Sequence, residues 1–297
     1  MSANIINKLN NFRHHIEYVR NKYNTFRIII NKVNYPEGDI YTFRMGGDYD
    51  NCINISININ VDNNTWRSLP LAWAHIINIK YEPECRLNGI LQHGGDVVDM
   101  IKLALQYINY IFPEITVFEL KDNSNIECEP LAAELKPPRK PVKPLSLSAL
   151  YVLLHGKTWY ERHFNAELKP EKYLNYKQNI QVFSNPINKP IEYLNRYVNN
   201  MTTIDLLRPY YDNHKSWHEF INKIPRNKRC KLLYNWISTF VNDKTLDSIE
   251  GNYWYIDINR MSRINMEIVD KPIYMPQRGG KATKIKITFQ NKFVSNF

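Results

Sequence analysis

The chain has 297 residues, 43% of them hydrophobic and 23% charged, and thirty-nine lysines and arginines against twenty-nine aspartates and glutamates leave a formal charge of +10. That length supports a core domain with an appendage and excludes a mini-protein that depends on covalent staples. No eighteen apolar residues run together and residues 1–11 lack an apolar leader segment, so a soluble, untargeted chain without a membrane partner is expected.

The sequence pI of about 9.2 makes nucleic acid or another polyanion an expected partner, beside the plainer reading of a basic surface. Cys52, Cys85, Cys128 and Cys230 are far apart and form no CxxC pair, which predicts free thiols and a reducing, cytoplasmic setting.

In chain order, Ile5, Leu9, Phe12, Ile16 and Val19 recur at steps of four and three, which predicts an amphipathic helix over 4–19. Residues 26–33 and 40–45 read as a hairpin about a turn at 36–39. Ile53, Ile55, Ile57, Ile59 and Val61 alternate with polar residues, the period of a strand with one dry face. Residues 72–81 form an apolar, β-branched run, 85–95 a turn with three glycines, and 96–112 a helix whose stripe is Val97, Ile101, Ala104, Leu105, Ile108 and Phe112. Pro113 ends that helix, and 115–120 is short and apolar enough for a buried strand. Two strands joined by a helix at this spacing predict a right-handed βαβ unit.

Residues 136–144 are a proline-rich basic loop, either a stiff spacer or a cationic contact through Arg139, Lys140 and Lys143. Residues 145–154 suit strand or helix, and 159–164 a short aromatic helix. From 169 to 245 the pattern is helical, with a stripe of Leu232, Leu233, Trp236, Ile237, Phe240 and Val241. Strands return at 252–259, 264–269 and 284–289. The domains expected are therefore an α/β core over 1–168, a helical insertion over 169–250, and a basic β segment over 251–297 that completes the core sheet.

This order of elements resembles the acyl-CoA-binding fold of the GCN5-related N-acetyltransferases, a mixed sheet with flanking helices. In that family a turn of pattern Arg/Gln-x-x-Gly-x-Gly/Ala at a helix N-terminus holds the pyrophosphate of coenzyme A on backbone amides. The matching residues are Arg86 and Gly89, with Leu91 where the family carries a small residue, and in a second register Gln92, His93, Gly94 and Gly95. The resemblance implies acetyl-CoA as cofactor and direct attack of an amine. Tyr160, in the Tyr-Glu-Arg-His-Phe run, corresponds to the family's thiolate-protonating tyrosine, and Glu82 or Glu84 to its carboxylate base. The run from His155 to Phe164 is also similar to a segment of uncharacterised proteins of large cytoplasmic DNA viruses, which implies the host cytoplasm or the virion, with virion proteins as partners.

A second expectation comes from the basic residues. Arg226, Lys228 and Arg229, together with Lys284 and Lys286, would contact phosphate if they converge with the basic loop, and the scaffold would then serve as a non-catalytic assembly or nucleic-acid-binding component. No metal is expected: His214 and His218 lack a third ligand, and Gly156-Lys157-Thr158 lacks the earlier glycine of a phosphate loop.

Overall fold

The computed structural model describes residues 10, 13–22, 24–35, 38–48, 51–59, 72–79, 83–87, 95–126, 145–198, 200–245, 249 and 251–270. The strands are β1 (His14–Arg20), β2 (Thr25–Tyr35), β3 (Gly38–Gly46), β4 (Asn51–Ile59), β5 (Ala72–Ile79), β6 (Val117–Lys121), β7 (Asn125–Ile126), β8 (Leu145–Ser146), β9 (Tyr253–Asp257) and β10 (Glu267–Val269). The helices are α1 (Gly95–Ile111), α2 (Leu147–His155), α3 (Trp159–Phe164), α4 (Pro170–Ile180), α5 (Met201–Leu207), α6 (Trp217–Lys223), α7 (Arg226–Leu233) and α8 (Ile237–Thr245).

These elements form two compact units. One holds the described residues up to Lys121, with Phe164–Ala166 and the residues from Tyr255 onward; the other holds Asp122–His163 and Glu167–Trp254. The helical unit thus begins at Asp122, well before the boundary expected at 168, and takes in α2 and nearly all of α3.

The first unit is an α/β layer built on an eight-stranded mixed sheet of order β10-β1-β2-β3-β4-β5-β6-β9. Neighbours from β1 to β5 are antiparallel, and β5 pairs β6 in parallel through the crossover α1, as the βαβ pattern predicts. The returning segment does join this sheet: β9 lies beside β6, where the Ile258 amide donates to the Thr116 carbonyl at 3.0 Å, and β10 pairs β1. The basic strand expected at 284–289 lies outside the described residues.

One face of the sheet is dry because its residues line up strand by strand. Phe43 sits opposite Ile55, Ile55 opposite Ile76, and Ile76 opposite Leu120; one step away run Tyr41, Ile57, Ala74 and Phe118. Every one of these side chains is buried, and α1 covers them, with Phe112 on Tyr41 at 4.8 Å and Tyr107 near Phe43 at 6.1 Å between ring centroids. Each buried aliphatic in such a row contributes about 2 kcal/mol, so the face is a large part of the unit's stability.

The helix expected over 4–19 is corrected in its second half, where the structure has β1. His15, Glu17 and Val19 face α1 while His14, Ile16 and Tyr18 face away, and β1 pairs with β2 along its whole length. The three-and-four spacing of Ile16 and Val19 is outweighed by a ready partner strand and by β-branched and aromatic side chains that suit a pleated surface.

In the helical unit the expected stripe from Leu232 to Val241 is buried throughout, though the chain breaks it into α7 and α8. Trp217, Phe183 and Trp236 gather around Phe240, whose ring lies 4.6 Å from that of Trp217, and Phe220 packs on Trp217. Glu161 organises the other end of this unit. It accepts from the Thr158 amide at 2.8 Å while Thr158 Oγ1 accepts from the Glu161 amide, a capping box that starts α3, and it also accepts from Tyr176 Oη and Lys177 Nζ at 2.6 Å each.

Candidate functional site

The sheet face away from α1 carries a different row. Across successive strands the register places His14 beside Asn31, Asn31 beside Thr42, Thr42 beside Ser56, Ser56 beside His75, and His75 beside Glu119. Burial rises along it, from exposed His14 to Glu119 at 1% exposure. A buried carboxylate requires donors; Glu119 takes one from His75 Nδ1 at 3.0 Å and another from Tyr255 Oη, on β9, at 3.2 Å. The bond to Glu119 assigns a proton to His75 Nδ1, which leaves Nε2 of the neutral ring as an acceptor.

Two polar atoms on the strands of this row are buried with no hydrogen-bond partner among the described residues: Trp73 Nε1, two positions before His75 and opposite Asn58, and Asn54 Oδ1, opposite Asn78. The β4–β5 register shifts between Asn54 and Ile55, which skips Ile77 and leaves its side chain 55% exposed. The parallel pairing of β5 and β6 covers Ala74 to Ile76 against Phe118 to Leu120, so the two strands are paired only up to the irregularity. A carboxylate-anchored imidazole can bind a polar group and move one of its protons.

The segment that leaves β5 is fastened to the sheet. Cys85 forms a disulfide with Cys52 on β4, with Cα atoms 5.7 Å apart, and the Leu87 amide donates to the Thr25 carbonyl at 2.8 Å. Gly47 lets the chain approach, since a Cβ there would lie 2.0 Å from the Glu84 carbonyl oxygen. Cys230 is disulfide-bonded as well, so the expectation of free thiols is overturned and the sequence argument for a reducing compartment loses its premise. Sequence spacing could not show this pairing, because its geometry is created by the fold.

Of the cofactor-binding candidates, Arg86 and Gly95 lie within the described residues, while Gly89, Gln92, His93 and Gly94 lie outside them. Apart from its chain neighbours and its own helix's backbone, no described atom comes within 4 Å of a Cβ built on Gly95, the first residue of α1, so among the described residues this position is uncrowded. Arg86 donates through Nη1 to Asn24 Oδ1, and its Nε is buried with no partner. Each feature by itself would suit an anion; Asp96 in the first turn opposes one with its own negative charge.

Three further candidates fare differently. Glu84 is exposed, and Glu82 lies outside the described residues. Tyr160 belongs to the helical unit, and burial, then the Asp122 carboxylate, push its hydroxyl well above the ordinary tyrosine range. A phenol shifted in that direction is a poorer proton donor to a thiolate. The carboxylate that the structure buries on this face is instead Glu119, a residue that sequence reasoning missed. Its signal was present: a lone His and a lone Glu in the two apolar strands of one βαβ unit, each needing a partner.

Among the basic candidates, Arg226 and Lys228 are exposed in the first turn of α7. Arg229 is withdrawn from the surface, 7% exposed, because its Nε donates to the Ile224 carbonyl at 3.0 Å and its Nη2 to the Asn222 carbonyl at 3.1 Å, closing the end of α6. Arg139, Lys140, Lys143, Lys284 and Lys286 lie outside the described residues. His218 is held by the Leu153 carbonyl at 2.5 Å, and among the described residues no three His, Cys, Asp or Glu side chains gather as metal ligands. No described helix is long and apolar enough to cross a membrane.

No family model matches the chain, and neither a curated protein nor a solved structure matches it.

Proposed function

We propose that the sheet unit is an acyl-transfer scaffold of GCN5-related type, acting from acetyl-CoA on an amine. The observation that carries this reading is the His75–Glu119 pair on the two parallel strands of the βαβ unit, the crossover helix of which opens at an uncrowded Gly95. Arg86 and the first amides of α1 would hold the pyrophosphate, and acetyl-CoA when bound supplies the activated acyl group. His75 Nε2 takes the proton of the attacking amine; Glu119 fixes the ring's tautomer and stabilises the charge it gains; Tyr255 holds the carboxylate in place. Tyr160 has no part in this scheme.

Thermal unfolding with added acetyl-CoA tests it, because ligand at a hundred times its dissociation constant adds about 2.7 kcal/mol. A shift that is lost in Arg86→Ala supports the reading, and no shift at millimolar ligand overturns it.

The exposed Arg226 and Lys228 favour a second reading, in which the chain is a non-catalytic virion, assembly or nucleic-acid-binding component. Neither makes an ion pair with a described carboxylate. Retention on a polyanion should then fall with salt in proportion to the phosphates contacted, and a salt slope near zero removes this reading.

A further inference from the structure

The helical unit contains a second group of interacting titratable side chains. Tyr193 lies in the short 3-10 segment Ile191–Arg196, Tyr197 follows it, and Asp243 and Lys244 sit near the end of α8. Lys244 Nζ donates to the Tyr193 hydroxyl and stands 4.9 Å from the centre of that ring, while the Arg196 guanidinium lies over the same ring at 5.2 Å. Tyr197 Oη donates to Asp243 Oδ2 at 2.5 Å, and the two phenol oxygens are 3.3 Å apart.

Proton counting orders this network. A phenol carries one proton, and that of Tyr197 is committed to Asp243. The contact between the phenols is therefore donated by Tyr193. Loss of that proton to water leaves a Tyr193 phenolate that accepts from Lys244 and from the Tyr197 hydroxyl, whose proton turns inward; Asp243, held below the ordinary carboxylate range by its bond to Tyr197 and by Lys244, does not take the proton up. Burial works to raise Tyr193, but donation from Lys244 and from Tyr197, with the charge of Lys244, outweighs it and the net direction is down. Tyr197 is pushed the other way, by burial and by its bond to Asp243.

We propose that Tyr193 is a nucleophilic tyrosine that takes an acyl group from an activated acyl donor. The phenolate oxygen attacks the acyl carbon; the new C–O bond forms as the bond from that carbon to the leaving group breaks; the leaving group departs with that electron pair; and the phenol's proton, already released to water, is available to it. Lys244 and Arg196 favour the negative charge that develops on oxygen. Asp243, sharing the site, disfavours a dianionic phosphoryl group and leaves a neutral acyl carbonyl unopposed. The proposal is independent of the acyl-CoA reading of the sheet unit.

The test is brief acetylation of the full chain by N-acetylimidazole, with peptide mapping by mass spectrometry to rank its twenty tyrosines. Tyr173 is the internal standard: it is half-buried too, with Lys177 5.2 Å from its ring centre, yet burial first, then Glu161, shift it upward. Tyr193 should be acetylated markedly faster than Tyr173. Lys244→Met should abolish the excess and Tyr197→Phe should reduce it, each with unchanged circular dichroism. Equal rates for Tyr193 and Tyr173 in the unaltered protein would overturn the proposal, a result that needs no variant to fold, as would an excess that survives Lys244→Met.

Discussion

Each unit buries a glutamate among hydrogen-bond donors, and the two are used differently. Glu161 is bonded chiefly to its own neighbourhood: an amide three residues back, a phenol and an ammonium from the next helix. Its lysine partner is permanently charged near neutrality, so the group has a fixed charge state and a packing role. Glu119 is bonded across the sheet, to an imidazole 44 residues away and a phenol 136 residues away. Its imidazole partner belongs to a type that gains and loses protons near neutrality. A buried carboxylate locked by local sequence and a lysine reads as scaffold, and one locked by distant residues around an imidazole reads as a site.

The largest effect expected tests how the sheet unit is held together. Replacing Cys52 and Cys85 by serine and alanine opens a loop of 33 residues' separation and should cost about 4 kcal/mol in urea unfolding. Next, Glu161→Ala strands the Thr158 amide, Tyr176 Oη and the Lys177 ammonium, and should cost about 3 kcal/mol by the same measurement. Glu119→Gln keeps an acceptor for Tyr255 and should change stability by no more than about 1 kcal/mol, while the acyl transfer proposed above should fall at least about tenfold and shift its pH profile. Equal stability losses for Glu119→Gln and Glu161→Gln would erase the contrast between the two.

The smallest effect concerns a carboxylate that, like Glu161, completes a capping box. Glu219 is held below the ordinary carboxylate range by the Ser216 amide, then by the Ser216 hydroxyl. A lowered folded-state value means stability that is present above the unfolded value and lost as pH falls through the folded one. Glu219→Gln should therefore flatten the acid limb of the Tm against pH curve slightly and leave the neutral range unchanged.

These contrasts show how much of the molecule its sequence displayed. Strand β4 was legible from its isoleucines, and α1 from its stripe, because each period is a local consequence of having one dry face. The capping boxes Thr158-x-x-Glu161 and Ser216-x-x-Glu219 were legible in principle, since the pattern is contiguous. Strand β1 was not, because its three-and-four spacing is outweighed by a partner strand that exists only in the fold. The row from His14 to Glu119 is spread over six strands, one residue from each, so register and not sequence creates it.

Gly47 has no side chain to offer, and its effect lies in the room it leaves. With only 2.0 Å between a would-be methyl and the Glu84 carbonyl oxygen, alanine there would act as a shim under the strap that carries Arg86. Such a change would touch no reactive group and still lift the strap from the sheet, so the thickness of one backbone crossing sets where Arg86 sits.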